Sequence, residues 1–415
     1  MASVASPEVR TIIGTKASVL RPASRLASVD VLRGLVMVIM ALDHTRDFLT
    51  YTRFAPEDVA HTSAALFFTR FITHYCAPVF SFLAGTGAYL STRRGKSIPQ
   101  LSRFFVTRGL WLVLLEVTVV DFAWGFQPWA HAGVIWILGW SMVVMAAIVW
   151  LPLRWIAVFG VGMIATHNLL DGVRPEWFGR FSWIWTLLHT PGTIPITANF
   201  SLPVLYVLIP WVGVMAAGFA FGSVLSRPDR RKWILTIGIT ATVLFFVVRG
   251  INLYGNGIAE TSSRFARSAG PWTIQATASH TVISFFNALK YPPSLDYLLM
   301  TLGPALILLG LLDNAKAERG LTRVLLVFGR VPLCYYLLHL YVIHLIGIVS
   351  SVAFHQPVWH AVAIGEHAQR PLGYGHGLPY IYAMWLLAVA ILYVPCKRFM
   401  EFKARHREWN WLSYL

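Results

Sequence analysis

The chain has 415 residues, 56% of them hydrophobic and only 13% charged, with a formal net charge of +16. Soluble domains carry about a quarter charged residues, so this composition excludes an ordinary soluble fold and indicates a multi-span membrane protein. In a soluble chain such a charge would point to nucleic acid; here it is expected from basic residues gathered in cytoplasmic loops, and no nucleic-acid-binding module is present in the sequence.

Residues 1–27 hold arginines without an apolar core run and read as a cytoplasmic tail rather than a signal peptide. Ten apolar runs follow, near residues 29–50, 65–91, 101–122, 132–151, 153–170, 202–225, 232–251, 294–313, 324–353 and 377–399. Each approaches the roughly 20 residues that a bilayer requires of a helix. They predict an all-α, polytopic membrane bundle of about ten transmembrane helices over residues 28–400, with 401–415 as a second tail. Basic residues cluster in "STRRGKSIPQLSR", "LPLRW", "SRPDRRK", "KAERGLTR" and "KRFMEFKARHRE", whereas the alternate loops are longer and aromatic. By the positive-inside rule both termini are cytoplasmic, and the lipid bilayer is the first partner. Cys76, Cys334 and Cys396 all sit in apolar runs, with neither disulfide nor metal-ligand spacing. No metal is expected.

The first helix, "DVLRGLVMVIMALDH", is apolar yet carries Asp30, Arg33, Asp43 and His44. Arg33 and His44 are eleven positions apart, which at ~100° per residue places them within about 20° on one face and ~16 Å apart along the axis. Asp47 falls close to the same face. Ionisable groups at membrane depth are costly and usually face a bundle interior or a wet cavity. In the outer loop "FAPEDVAHTS", His61 has no role on composition alone beyond solvation. The second helix places Arg70 and His74 one turn apart, and Pro78 can kink it. The ninth run, "FGRVPLCYYLLHLYVIHLIG", repeats the pattern: Arg330 at the inner end and His344 on nearly the same face, with His339 on another side beside Tyr335.

An inner arginine and a deeper histidine suit a cytoplasmic donor with phosphates and a long reactive arm, such as a coenzyme A thioester. Guanidinium forks bind phosphate. A histidine at the arm's tip can act as general base or take the acyl group itself. The outer loops offer an acceptor surface in Trp124, Trp129, Trp183, Trp185, His131 and His189, although interfacial tryptophans are also ordinary belt residues. His167, Asn168 and Asp171 lie at an outer helix end, and Asn287, Lys290 and Tyr291 just before the eighth run.

The blocks "SVDVLRGLVMVIMALDH", "ITHYCAPVFSFLAGTGAYLS", "IPWVGVMAAGFAFG", "KYPPSLDYLLMTLGP" and "FGRVPLCYYLLHLYVIH" resemble bacterial members of the heparan-α-glucosaminide N-acetyltransferase-like family, over about residues 25–400. More distantly, Arg33 and His44 resemble the first-helix motif of membrane acyltransferases that O-acetylate surface sugars. The resemblance implies acyl transfer from cytoplasmic acetyl-CoA to a carbohydrate acceptor across the cell (inner) membrane. It implies catalytic candidates in His44, by the first-helix motif, and His61, by its position after the first helix; His74, one turn from Arg70, is a further candidate from the second helix itself. Donor contacts would fall to Arg33 and Arg330, and acceptor contacts to Asp47, Asn168, Asp171 and His344. Two other classes stay open, a secondary transporter of a small polar solute and a non-catalytic partner of an envelope-glycan machine. Also open are O- against N-acylation, an acyl-histidine against direct transfer, and assembly as a homo-oligomer.

Overall fold

The computed structural model describes residues 26–127, 130–257, 269–313, 320–358, 370–406 and 408–414. Helix α1 spans Ala27–Leu49. Helix α2 (Ala64–Phe71), capped by Ser63, runs through a 3-10 turn (Ile72–Tyr75) into α3 (Cys76–Thr92). Helix α4 (Ile98–Leu115) opens with a Ser97–Gln100 capping box and continues through a π-turn (Glu116–Val120) into α5 (Asp121–Gly125). Next come α6 (Val134–Ile148), α7 (Leu153–Thr166) and α8 (Ser182–Leu188). Strands β1 (Gly192–Thr197) and β2 (Phe200–Val204) pair antiparallel, with Gly192 opposite Val204. The remainder is helical: α9 (Leu208–Leu225), α10 (Arg230–Ile251), α11 (Ala278–Phe286), α12 (Leu295–Leu312), α13 (Gly320–Arg330), α14 (Pro332–Ala353) and α15 (Leu378–Arg405).

The protein is a mostly helical, multi-pass membrane bundle. Among the described residues seven helical stretches are long and apolar enough to cross a bilayer. Helix α1 has the length but carries five Asp and Arg residues. It tolerates them because it packs against α3, α12, α13, α14 and α15, so these charges face protein rather than lipid. Three sequence expectations need correction. The all-α reading omits the β1–β2 hairpin, and that strand pairing delays the helix expected from residue 202 until Leu208. The ninth run is two helices, α13 and α14, parted at Val331, where the residue before a proline disfavours helical geometry. The helical-wheel argument joining Arg330 to His344 therefore does not carry across that break.

The tightest crossing is that of α1 with α13. A Cβ on Gly34 would lie 1.9 Å from the Leu325 carbonyl oxygen, and one on Gly329 would lie 1.8 Å from that of Asp30. Only glycine permits this backbone approach, the usual device by which membrane helices pack closely. At its other end α1 leaves carbonyls without intrahelical donors. Residues 370–376 meet them: Arg370 Nη2 donates to the Asp47 carbonyl (2.6 Å), the Tyr374 hydroxyl to that of Phe48 (2.5 Å) and the His376 N–H to that of Leu49 (2.7 Å).

Candidate active site

Arg33 lies at the α1–α13 crossing. Its Nη1 donates to Asp30 Oδ1 (3.1 Å) and to the Gly329 carbonyl (3.2 Å). Arg330, the next residue, is exposed. Arg108 of α4 is close enough to Arg33 for the two charges to interact. The structure thus brings the guanidinium of Arg108 near that of Arg33 at this end of α1, a proximity that sequence spacing did not reveal.

Eleven residues along α1, His44 packs edge-on against Trp124 (ring centroids 5.0 Å apart) and beside His339 (5.1 Å). Its Nδ1 is 3.8 Å from Asp47 Oδ2. The ring makes no hydrogen bond among the described residues, and the side chain keeps 18% exposure. His339 is fully buried; its Nδ1 donates to the Tyr336 carbonyl, which leaves Nε2 as an acceptor without a partner in the described residues. His344 is fixed in the same tautomer by the Ala123 carbonyl (2.7 Å) and is sandwiched between Phe48 (4.6 Å) and Phe126 (4.3 Å). The sequence reading placed His339 on a different side from His344. The structure shows that the side facing His44 is that of His339, while His344 lies behind Phe48.

A charged network surrounds this cluster. Arg46 Nη2 reaches Asp43 (2.9 Å) and Asp47 (2.7 Å). Asp43 also accepts a short hydrogen bond from Arg70, whose Nε donates to Glu57 (2.6 Å). Burial alone would raise the Glu57 carboxyl; Arg70, His74 and Arg46 together outweigh it and hold the group well below its usual range. His74 Nε2 lies 3.7 Å from the same Glu57 oxygen. The local sequence explains why His74 is held there. Pro78 has no N–H to offer the carbonyl four residues back, and the Tyr297 hydroxyl donates to that His74 carbonyl instead (2.7 Å). The Asn287 side chain donates to the Glu57 carbonyl (2.9 Å), tying the segment before α12 to the same loop.

Other sequence candidates fall elsewhere. His61 is exposed and paired with Asp58 (2.7 Å), out on the loop that carries Glu57. Asn168 donates to Asp171 (2.9 Å) and accepts from the Leu295 N–H (2.9 Å), so the pair fastens the start of α12. His189 joins them through the His167 carbonyl (3.1 Å) and stacks on Trp185. No contact among the described residues links this group to His44. Trp129 lies outside the described residues. Glu57, Arg46 and Arg370 were not singled out in the sequence; Asp43 was, as a charge inside an apolar run.

The arrangement can do two things chemically. Arginines at one end of α1 can hold phosphate groups. At the other end, a half-open imidazole beside a carboxylate can move a proton or attack a carbonyl carbon. The family model for heparan-alpha-glucosaminide N-acetyltransferase, catalytic, matches residues 25–257, more than half of the chain. That stretch includes Arg33, His44, Glu57, Arg70 and His74, while His339 and His344 lie beyond it. No curated protein matches the chain.

Proposed function

The chain belongs to the heparan-alpha-glucosaminide N-acetyltransferase catalytic family, and from that membership we propose that it carries an acetyl group from cytoplasmic acetyl-CoA to an amine or hydroxyl of a carbohydrate on the opposite side of the cell (inner) membrane. The observation that carries the reading is the layout of α1: guanidinium groups at one end and, ~16 Å along the axis, a histidine with no hydrogen bond among the described residues beside Asp47.

In this reading Arg33, with Arg330, holds the donor phosphates through charge-assisted hydrogen bonds. The donor's pantetheine arm runs along α1 and brings the thioester carbonyl to His44. As general base, His44 takes the proton of the acceptor amine or hydroxyl while that atom attacks the carbonyl carbon. The carbon–sulfur bond breaks and the proton passes to the departing thiolate. As nucleophile, His44 takes the acetyl group first and passes it to the acceptor after coenzyme A has left. Asp47 orients the imidazole in either route, by the logic that joins a carboxylate to a catalytic histidine. His339, its Nδ1–H committed to a carbonyl, presents Nε2 as a second proton acceptor next to His44.

Calorimetric titration of purified protein with acetyl-CoA tests the donor half. Saturable binding is expected, weakened ~10- to 100-fold by Arg33→Ala, the range set by about 1.5–3 kcal/mol for a hydrogen bond to a charged group. Binding equally tight in wild type and Arg33→Ala overturns the donor assignment.

A further inference from the structure

Helix α4 does not stop where its α-helical geometry does. The π-turn Glu116–Val120 joins it to α5, and the Asp121 N–H bonds the Glu116 carbonyl in the i→i+5 pattern. That pattern sets Glu116 and Asp121 one above the other, and π-turns of this kind occur frequently at functional sites. Both carboxylates are buried, Glu116 1% and Asp121 0% exposed. Opposite them, from the loop ahead of α6, comes His131. One oxygen or nitrogen donor atom from each of the three residues lies within 4.8 Å of the others.

The hydrogen bonds assign the atoms. Asp121 accepts from the His131 backbone N–H (3.0 Å) and, by a short bond, from its ring Nδ1–H. Glu116 Oε2 accepts from the Ile135 (3.0 Å) and Trp136 (3.3 Å) N–H groups at the start of α6. That leaves Glu116 Oε1, which makes no hydrogen bond among the described residues and faces His131 Nε2 at 3.7 Å. Such a distance is too long for a hydrogen bond. It matches two ligands each ~2.1 Å from one shared ion. A carboxylate that receives the far N–H of the imidazole is the usual support of a metal-binding histidine. Gly133 leaves the space: a Cβ there would lie 2.0 Å from Glu116 Oε1 and 2.5 Å from His131 Nε2.

We infer that Glu116 and His131, with Asp121 orienting the imidazole and adding the second carboxylate, bind one divalent transition-metal ion. The ion fastens α5 to α6. Helix α5 carries Trp124, which contacts His44, and Ala123, whose carbonyl holds His344, so the metal braces one wall of the candidate active site.

The test uses tag-free, detergent-purified protein stripped with a chelator, then given Zn2+ or Mn2+, with bound metal and melting temperature both measured. About one ion per chain and a higher melting temperature are expected, both lost in Glu116→Gln and in His131→Gln. Stripped wild type that neither takes up an ion nor gains stability overturns the inference, as do the two variants if they bind like wild type. Should both variants fail to fold, X-ray absorption of the zinc-loaded wild type decides. An N/O shell containing imidazole is expected, and a sulfur-containing or imidazole-free shell overturns it.

Discussion

His44 is the only ring of the His44–His339–His344 group with neither nitrogen hydrogen-bonded in the described residues, and a buried polar atom left so is costly unless a ligand completes it. His44→Ala is therefore expected to lower acetyl transfer by ~100-fold or more while leaving acetyl-CoA affinity near that of wild type; paired turnover and binding assays read the two effects separately. His74 depends on a different residue. Tyr297→Phe removes the donor to its carbonyl and is expected to destabilise the protein by about 1–3 kcal/mol, read by denaturant unfolding. A third expectation concerns Asp171 and His189, which lie outside the spans. Burial raises Asp171 from 3.8 to about 6 and lowers His189 from 6.5 to about 4. The Asp171 contribution to stability is complete below pH 3.8 and is lost as pH rises through 6; the His189 contribution is complete above pH 6.5 and is lost as pH falls through 4. The two trends oppose each other in wild type. Asp171→Asn should leave a melting temperature that climbs from pH 4 to 6.5, and His189→Gln one that falls from pH 4 to 6. Parallel curves in the two variants would contradict the assignment. At this scale the sequence reached His44, Arg33, Asp47 and His74, because costly groups on an apolar helix stand out. It missed Glu57 and did not place His339 beside His44, because a loop acid has no periodicity and a helical wheel does not say which face meets which neighbour.

Helix α1 couples the two ends of the site. Its N-terminal half is pressed onto α13 through Gly34 and Gly329, and the contact that seats Arg33 is itself to the Gly329 carbonyl. Its C-terminal end is held by Arg370, Tyr374 and His376. Gly329→Ala places a methyl group against the Asp30 carbonyl, where backbone on both sides has no room to yield. A stability loss of about 1–3 kcal/mol is expected from such overpacking, together with weaker acetyl-CoA binding, because α13 can no longer seat Arg33. Thermal unfolding and calorimetry on the same preparation check both; an unchanged donor affinity would separate the crossing from the donor site. Seven of the ten apolar runs coincide with the helical stretches long and apolar enough to cross a bilayer among the described residues, because length and hydropathy are the signals a bilayer imposes. The β1–β2 hairpin escaped notice because it lies mostly between two apolar runs, with only the end of β2 inside the second, and the break at Val331 was hidden because Pro332 opens α14 as readily as it ends α13.

For the molecule as a whole, the charges that look misplaced in α1 become intelligible once the helix is seen to be enclosed by others. A buried helix can carry arginine at one end and a histidine cluster at the other without exposing either to lipid. Under the function proposed above, that polarity has a purpose, with donor contacts at one end and chemistry at the other. The most direct test is acetyl transfer by protein reconstituted in vesicles, supplied with acetyl-CoA on the side of Arg33 and a panel of amino and neutral sugars on the other, for wild type and His44→Ala. The account predicts coenzyme A release and an acetylated sugar with wild type, and neither with a folded His44→Ala protein. Turnover by His44→Ala at the wild-type rate would contradict it.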